Sequence, residues 1–450
     1  MLDSFLDYLS LFENVVWGYI GFPALMLVGL YLSIKSGFFQ IRKFPAIVKT
    51  FVDFMRVDPA HTKGVHPLQA FFASIGGCVG VGNVVSICTA VQIGGPGALF
   101  WIWVTAIVGM LVKYGEVFLA MKFRVSTPNG YLGGPHYYLR KCFKTLFFPN
   151  LAAVLLCVYG VEIYQFSVVA HSVSFNSGLP LVPVAFTLLG LVMFAGMGGV
   201  RRVGNISSLI IPVFVVIYIG MGSYVLFQHI GDLGKVFDSV FTYAFTPHGA
   251  IGGFVGSSLM MTISQGVRRG CYTGDLGIGY ASVIHSETSV TSPEKQASLV
   301  IFEIFLDTFV ICTTSVVLIL ATGIWATPMD ASLIVQTALG QYFPYMHFFM
   351  PFFLFLLGYS TINAYFVVGL KCAEYLSPKR GKLLYNMYAA FALLLFSFVD
   401  SSGAQAIMAI TGGLLLPLNA YGIYKLRNEI GFDLDNKVIS NFEVSQSVNN

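Results

Sequence analysis

Apolar residues fill most of this chain in long runs that are separated by short polar connections. The runs lie at roughly 15–35, 67–93, 97–122, 150–174, 181–198, 205–229, 249–286, 297–323, 344–370, 383–399 and 404–425. Most are near the length of about 20 residues that a helix needs to cross a bilayer. None alternates as a membrane barrel strand does. The pattern predicts an all-α polytopic membrane protein with about eleven transmembrane helices.

Composition agrees with this class. Hydrophobic residues make up 56% of the chain and charged residues 10%, whereas a soluble domain carries about 25% charged residues. Asp3, Asp7 and Glu13 precede the first run, so we expect no cleavable signal and a retained first helix. The seven cysteines are scattered and form no metal or disulfide pattern. Nucleotide-binding and hydrolase motifs are absent from the sequence, so we predict neither an enzyme nor a nucleic-acid partner.

Cationic residues concentrate in every second connection, whereas the intervening connections are short or acidic. The cations are Lys35, Arg42, Lys43, Lys49, Arg56 and Lys63 after the first span, Lys122, Arg124, Arg140, Lys141 and Lys144 after the third, Arg201 and Arg202 after the fifth, and Lys371, Lys379, Arg380 and Lys382 after the ninth. The positive-inside rule then places the N-terminus outside and the C-terminus in the cytoplasm. We expect the inner (plasma) membrane as the location. The connection at Glu294 and Lys295 is neutral and does not contribute.

Glycines interrupt the second apolar run where a membrane helix would lie deepest. Six glycines fall between Gly76 and Gly95, and each weakens a helix by about 1 kcal/mol relative to alanine. Hydrocarbon cannot satisfy the backbone groups that a break frees. Broken backbone at this depth therefore lines a cavity, and in transporters such breaks hold ions and substrates. The alternative is close helix packing of the small-xxx-small kind, which Gly76 and Gly80 also fit.

A second break is predicted in the seventh span, at GVRRGCYTGDLGIG between Gly266 and Gly279. It follows the first break by five spans, and the assigned topology makes the two broken spans cross in opposite directions. This arrangement points to inverted repeats of a secondary transporter. We therefore divide the chain into an N-terminal helix with a basic loop (1–66), a first repeat (67–229), an extracellular connection (230–248), a second repeat (249–425) and a cytoplasmic tail (426–450).

Several motifs resemble the alanine or glycine:cation symporter family. They are SGFFQIRKF (36–44), VGVGN (79–83), GGPGALFWIWVTAIVGMLVKYGE (94–116), GGPHYYL (133–139), RRGCYTGDLGIG (268–279), DTFVICT (307–313) and GYSTINAYFVVG (358–369). The resemblance implies a LeuT-like 5+5 inverted-repeat fold with one extra N-terminal helix. It also implies sodium-coupled import of small neutral amino acids such as alanine, glycine or D-alanine by alternating access. The chain departs from the family at Tyr272, Gly274, Asp275, Leu276 and Tyr365.

An amino-acid zwitterion needs a partner for each of its charges. A broken helix offers N–H groups at one half and carbonyls at the other, so we assign the carboxylate to the amides from Gly80 to Asn83 and the ammonium or sodium to the carbonyls from Gly76 to Val79. The predicted substrate-binding residues are Gly77, Cys78, Gly80, Gly82, Asn83, Gln165, Tyr272, Thr273, Asp275 and Tyr365. Packing is the alternative role for each glycine and tyrosine.

The resemblance also implies a sodium site. Its predicted ligands are the carbonyls of Gly76 and Val79 and the hydroxyls of Ser360 and Thr361, with Asn83 assigned to a second sodium site. The alternative for each hydroxyl is a hydrogen bond to its own helix. A single chain with two unlike breaks favours a carrier over a channel, and we expect a monomer to suffice.

Further charged residues lie within the apolar runs. They are three cations, Lys113, Arg268 and Arg269, and five acids, Glu116, Glu162, Asp275, Glu303 and Asp307. We expect internal pairing among them, with Asp275 binding a ligand or pairing with Arg268 or Arg269. Lys113 is expected to extend to the membrane surface. The acids, together with His285, leave a proton-coupled carrier of the same fold as the alternative.

Overall fold

The computed structural model describes residues 12–13, 15–56, 63–128, 130–247, 258–329, 331–398 and 401–434. Seven helices in these ranges are long and apolar enough to cross a membrane, and the bent pair Pro67–Cys78 and Val81–Gly94 is an eighth candidate. Leu181–Gly196 and Gly381–Ser397 are shorter apolar helices. The predicted all-α fold is confirmed. With the charged segment at 259–286, these elements are consistent with eleven spans.

The described part of the first half contains the extra N-terminal helix and eleven further helices. Its helices are α1 (Val16–Lys35), α2 (Phe39–Arg42), α3 (Phe44–Phe54), α4 (Pro67–Cys78), α5 (Ser86–Gly94), α6 (Ala98–Lys122), α7 (Pro135–Cys142), α8 (Phe147–Tyr159), α9 (Ile163–Ser177), α10 (Leu181–Gly196), α11 (Gly199–Gln228) and α12 (Leu233–Tyr243). A two-stranded antiparallel ribbon, β1 (Val125–Thr127) and β2 (Gly130–Leu132), follows α6.

The second half repeats this plan. Its helices are α13 (Leu259–Gly274), α14 (Tyr280–Ser286), α15 (Pro293–Ala321), α16 (Ala331–Gly340), α17 (Met346–Leu376), α18 (Gly381–Ser397) and α19 (Ser401–Lys425). The middle of α15, Phe305–Cys312, is π-helical. The predicted start of the seventh span, at residue 249, lies outside the described residues.

Both halves have the same order of elements. Each begins with a broken span (α4/α5 and α13/α14), continues with a long helix (α6 and α15) and then a short one (α7 and α16). A long segment (α8/α9 and α17), a short apolar helix (α10 and α18) and a long final helix (α11 and α19) complete each half. This correspondence supports two repeats of five spans, and the residue limits of those repeats stay predictions.

The sequence caps the broken spans and α15 at their first turns. His66 Nδ1 accepts a hydrogen bond from the N–H of Leu68, and Pro67 follows as the first helical residue of α4. Ser292 Oγ caps α15 by accepting from the N–H of Lys295, again with a proline next. A side-chain cap satisfies N–H groups that lack a partner in the helix, and proline fits the first turn because its missing N–H is not needed there. These caps fix where the two helices begin.

Three predicted cytoplasmic segments lie at one end of the molecule. Lys122 after α6 forms an ion pair with Glu429, 2.9 Å away, in the segment that follows α19. Arg124 donates to the carbonyls of Thr288 and Val290, at 2.6 and 2.8 Å, in the connection between α14 and α15. The neutral connection thus lies at the same end as one basic connection and the segment that follows α19. The shared end agrees with the charge pattern, and which end faces the cytoplasm stays a prediction.

Candidate substrate and cation site

The break between α4 and α5 lies where the glycines predict it. After Cys78 the backbone extends through Val79 and Gly80, makes a 3-10 turn at Val81–Asn83 and resumes as α5. The N–H of Gly80 donates to Asn83 Oδ1 at 3.0 Å, and the N–H of Val81 donates to Gln165 Oε1 at 3.2 Å. Side chains therefore satisfy amides that the break frees at membrane depth.

The predicted sodium ligands lie together beside this break. Thr361 Oγ1 is 3.0 Å from the carbonyl oxygen of Gly76 and 3.5 Å from that of Val79. Ser360 Oγ, one residue earlier on α17, lies 2.8 Å from Ser207 Oγ on α11. All three hydroxyl-bearing side chains are fully buried. The structure thus adds Ser207, which the sequence did not single out, to an oxygen-rich cluster of two carbonyls and three hydroxyls.

Gly76 allows this cluster to form. A Cβ atom on Gly76 would overlap Ser207 Oγ and lie 2.6 Å from Ser360 Oγ. Real Cβ atoms essentially never come this close, so any larger residue would push the hydroxyls away from the carbonyl. The glycine is therefore needed for close approach of α11 and α17 to the end of α4.

Asp275 marks the second break. It ends α13 in the left-handed conformation, with φ of 48°, and its carboxylate accepts hydrogen bonds from three side chains. Tyr365 Oη and Tyr159 Oη donate to Oδ1 at 2.5 and 3.0 Å, and Cys78 Sγ lies 3.4 Å from Oδ2. The acid therefore ties α17, α8 and α4 to the break.

The predicted pairing of Asp275 with Arg268 or Arg269 does not form. Arg268 instead forms an ion pair with Glu13 at 3.0 Å. The reason is geometric: the two arginines precede Asp275 by about two helical turns, and the chain leaves the helix at Asp275. The carboxylate then points into the bundle, where the tyrosine hydroxyls lie.

Lys113 is fully buried and does not extend to the membrane surface, so that expectation was wrong. Its Nζ lies 3.0 Å from the carbonyl oxygen of Gly274, 3.0 Å from Cys78 Sγ and 3.4 Å from Glu303 Oε2. Glu303 Oε1 lies 2.8 Å from His285 Nε2. A buried ammonium requires an ion pair and further hydrogen bonds. Lys113 thus joins the ends of α4 and α13 to α15, and the expected internal pairing occurs here.

Asn83 and Asp307 form a second polar contact at the first break. Asn83 Nδ2 donates to Asp307 Oδ1 at 2.5 Å, and Thr308 Oγ1 donates to Oδ2 at 3.1 Å. The backbone carbonyl of Asn83 accepts from Ser315 Oγ at 2.9 Å. Asp307 and Thr308 lie in the π-helical part of α15, and such bulges occur often at functional sites. Asn83, predicted for both substrate and a second sodium site, therefore lies beside a carboxylate.

A third break, between α8 and α9, was not predicted. Tyr159 ends α8, and Glu162 precedes α9 in the left-handed conformation with φ of 50°. Tyr272 Oη donates to Glu162 Oε1 at 3.4 Å. Gln165 follows one turn later and contacts the first break. The available signal was the pair Gly160 and Glu162 inside an otherwise apolar run.

The remaining predicted residues have different surroundings. A Cβ atom on Gly77 would overlap the Tyr280 hydroxyl, so Gly77 packs against α14. Gly82 has room, because a Cβ there would lie 3.8 Å from the nearest atoms of Tyr272 and Thr273. Thr273 Oγ1 donates to the carbonyl of Arg269 in its own helix, at 2.9 Å. Gly82 would thus accept a Cβ atom at ordinary contact distance, whereas the Thr273 hydroxyl is engaged in its own helix.

Comparison with known proteins identifies the family. Residues 2–439 match the description of the sodium:alanine symporter family. The chain belongs to that family. It is 29% identical over 453 residues to the sodium/alanine symporter AgcS of Methanococcus maripaludis, covering 94% of this chain and 98% of the relative. It is 30% identical over 433 residues to an uncharacterised transporter of Haemophilus influenzae, covering 94% of each.

Among solved structures, the chain resembles MhsT in complex with L-phenylalanine. The TM-score is 0.60 at 14% sequence identity, covering 82% of this chain and 90% of MhsT. This similarity shows the fold alone, and the LeuT-like fold implied by the sequence is confirmed. The chain is a multi-pass membrane protein and an amino-acid transporter of the symporter class, not an enzyme.

Proposed function

We propose that this symporter couples the inward movement of sodium to the import of small neutral amino acids, with alanine, glycine and D-alanine as its substrates. The observation that carries the proposal is the oxygen cluster of Gly76, Val79, Ser360 and Thr361 beside the first break. The family and the AgcS relative support it. Transport would proceed by alternating access in the plasma membrane, with one monomer as the working unit, the N-terminus outside and the C-terminus in the cytoplasm.

The donor set suits a hard monovalent cation. Backbone carbonyls and hydroxyls offer neutral oxygen atoms, which hard cations prefer, and half-helix ends provide such oxygens for sodium in transporters. The carbonyl oxygens of Gly76 and Val79 lie at the C-terminal end of α4, so the partial negative charge of the helix end adds to their attraction for a cation. A cation here would lie beside the amides that we assign to the substrate carboxylate.

The same geometry favours a small substrate. A Cβ atom on Gly80 would lie 2.5 Å from Thr361 Oγ1 and 2.6 Å from Gln165 Oε1. The backbone therefore approaches both side chains as closely as only glycine permits. A Cβ atom on Gly82 would lie 3.8 Å from the ring of Tyr272. The close approach of the backbone to these side chains limits the room beside the break, which favours a substrate with a short side chain.

A proton-coupled carrier of the same fold is the second candidate, and one observation favours it. The buried series Lys113, Glu303 and His285 continues through Gln296, whose Nε2 lies 2.8 Å from His285 Nδ1. Imidazole and carboxylate groups in contact can exchange a proton. An ion channel is disfavoured, because selectivity filters generally repeat one element around a symmetric oligomer.

Uptake into proteoliposomes distinguishes the candidates. Purified protein is reconstituted, and uptake of radiolabelled alanine is measured with external sodium or with choline at constant pH. We expect uptake to collapse in choline, and unlabelled glycine and D-alanine to compete with alanine. Uptake that needs no sodium and is driven equally well by a pH gradient would replace the sodium proposal with the proton-coupled one.

A further inference from the structure

The acids near the junction of the breaks differ in how completely their carboxylates are bonded. Asp275 accepts from two tyrosines, Asp307 from an amide and a hydroxyl, and Glu303 contacts a lysine and a histidine. Glu162 is fully buried, and its carboxylate lies beside Tyr272 and Gln165, yet in the described part of the chain no donor has hydrogen-bond geometry to its Oε2. Buried carboxylate oxygens are normally bonded, because leaving one unmet is costly. Glu162 therefore retains an acceptor for a ligand.

The backbone holds Glu162 in an unfavourable conformation. A φ of 50° is left-handed and uncommon for a residue with a long side chain. Such strain persists only where the surroundings impose it, and it clusters at ligand sites. Here the break between α8 and α9 imposes it and directs the side chain towards Tyr272 on α13. The strained residue thus belongs to the junction and not to the outer surface.

All three broken spans meet around this carboxylate. Glu162 contacts α13 through Tyr272, and Gln165, one turn along α9, contacts the first break through the N–H of Val81. Gly82, on the same break, also lies near Tyr272, since a Cβ atom on Gly82 would be 3.8 Å from the ring. The Glu162 carboxylate and the first break therefore lie at one junction, and a ligand at the break would bring its ammonium group near Glu162.

We propose that Glu162 accepts hydrogen bonds from the ammonium group of the transported amino acid and is a specificity-determining residue. This inference rests on the proposed function. Asp275 is less suited to the task, because its Oδ1 already accepts from Tyr159 and Tyr365. The substrate class is then a small acid with a primary ammonium. A hydroxy acid of equal size, such as lactate, lacks the positive charge and leaves Glu162 unpaired.

The test is the discrimination between alanine and lactate. Inhibition constants of both for radiolabelled alanine uptake are measured in wild type and in Glu162→Gln. Hydrogen bonds to a charged group are the stronger kind, so we expect alanine to bind roughly 10- to 100-fold more weakly in the variant, with little change for lactate. Glu116→Gln is the matched control: Glu116 is also a fully buried glutamate, on α6 beside the backbone of Gly279. The ratio of the inhibition constants of alanine and lactate should stay at the wild-type value in this control.

A second variant distinguishes the loss of a ligand contact from misfolding. Asparagine tolerates the left-handed conformation better than glutamate does, so Glu162→Asn should fold at least as well and lose the same discrimination. A folded Glu162→Gln or Glu162→Asn protein with the wild-type ratio overturns the inference, as does failure of both variants to fold. A changed sodium requirement with an unchanged ratio also overturns it and assigns Glu162 to a cation. Wild-type alanine uptake that needs no sodium overturns the proposed sodium coupling and leaves this test of Glu162 intact, whereas a wild type that takes up no alanine overturns both.

Discussion

Replacing Thr361 by valine tests the cation site with the smallest change of shape. The substitution keeps the side-chain volume and removes Oγ1, which lies 3.0 and 3.5 Å from the carbonyl oxygens of Gly76 and Val79. Losing one buried polar partner of a charged group costs about 1–3 kcal/mol. Since about 1.4 kcal/mol corresponds to a factor of ten, the half-saturating sodium concentration should rise roughly 10- to 100-fold.

The assay is alanine uptake into proteoliposomes as a function of external sodium, with potassium ions or choline keeping ionic strength constant. Thr105→Val is the matched control. Thr105 is equally buried, and its hydroxyl donates to the carbonyl of Trp101 in its own helix at 2.7 Å. This substitution removes an intrahelical hydrogen bond, which affects stability and not cation binding. We expect its sodium curve to match that of the wild type.

One result would refute the reasoning about this site. If Thr361→Val is monodisperse, melts near the wild-type temperature and keeps the wild-type sodium curve, then the oxygen cluster does not bind the coupling ion. A rise in the sodium requirement that Thr105→Val reproduces would also refute it, because the effect would then come from helix stability.

Three further perturbations test other parts of the account. Gly80→Leu should abolish alanine binding, since its side chain would displace Thr361 and Gln165 from the break, whereas Gly220→Leu points into open space and should transport normally. Ligand binding beside size-exclusion profiles checks both variants, and a folded, active Gly80→Leu would show that close backbone approach at Gly80 is not needed for binding. Lys113→Met should lower the melting temperature, because leaving Glu303 without its cation costs about 3 kcal/mol of the free energy of unfolding. Adding Glu303→Gln should restore most of that loss, and no recovery in the double variant would contradict the ion pair. Sodium with alanine should slow alkylation of Cys78, followed by mass spectrometry, and equal labelling with and without ligands would place this thiol away from the site.

Patterns within one segment were sufficient to predict the architecture. Helix lengths follow from apolar runs, and the two glycine-rich breaks follow from the weak helix propensity of glycine. The predicted sodium ligands Thr361 and Gly76 were paired because the resemblance placed them on helices that meet, and the structure brings them together. Position alone did not show that Ser207 completes the cluster, since a serine in a membrane helix most often bonds to its own backbone.

Long-range contacts account for the features that the sequence did not reveal. Lys113 stands near the end of an apolar run, where a lysine usually reaches the surface, but contacts from Cys78, Gly274 and Glu303 hold it inside. The segment around Glu162 contains no cluster of glycines that would predict the break. The left-handed backbone of Glu162 depends on how α8, α9 and α13 pack together. A sequence pattern within one segment does not predict that packing.

The central claim is that the cation and the amino acid bind at one junction and stabilise each other. Equilibrium binding of radiolabelled alanine to purified protein, measured across sodium concentrations, tests it most directly, together with sodium binding measured across alanine concentrations. We predict that saturating sodium lowers the dissociation constant of alanine. Because linkage is reciprocal, saturating alanine should lower the dissociation constant of sodium by the same factor. Alanine affinity that is the same with and without sodium would contradict the account.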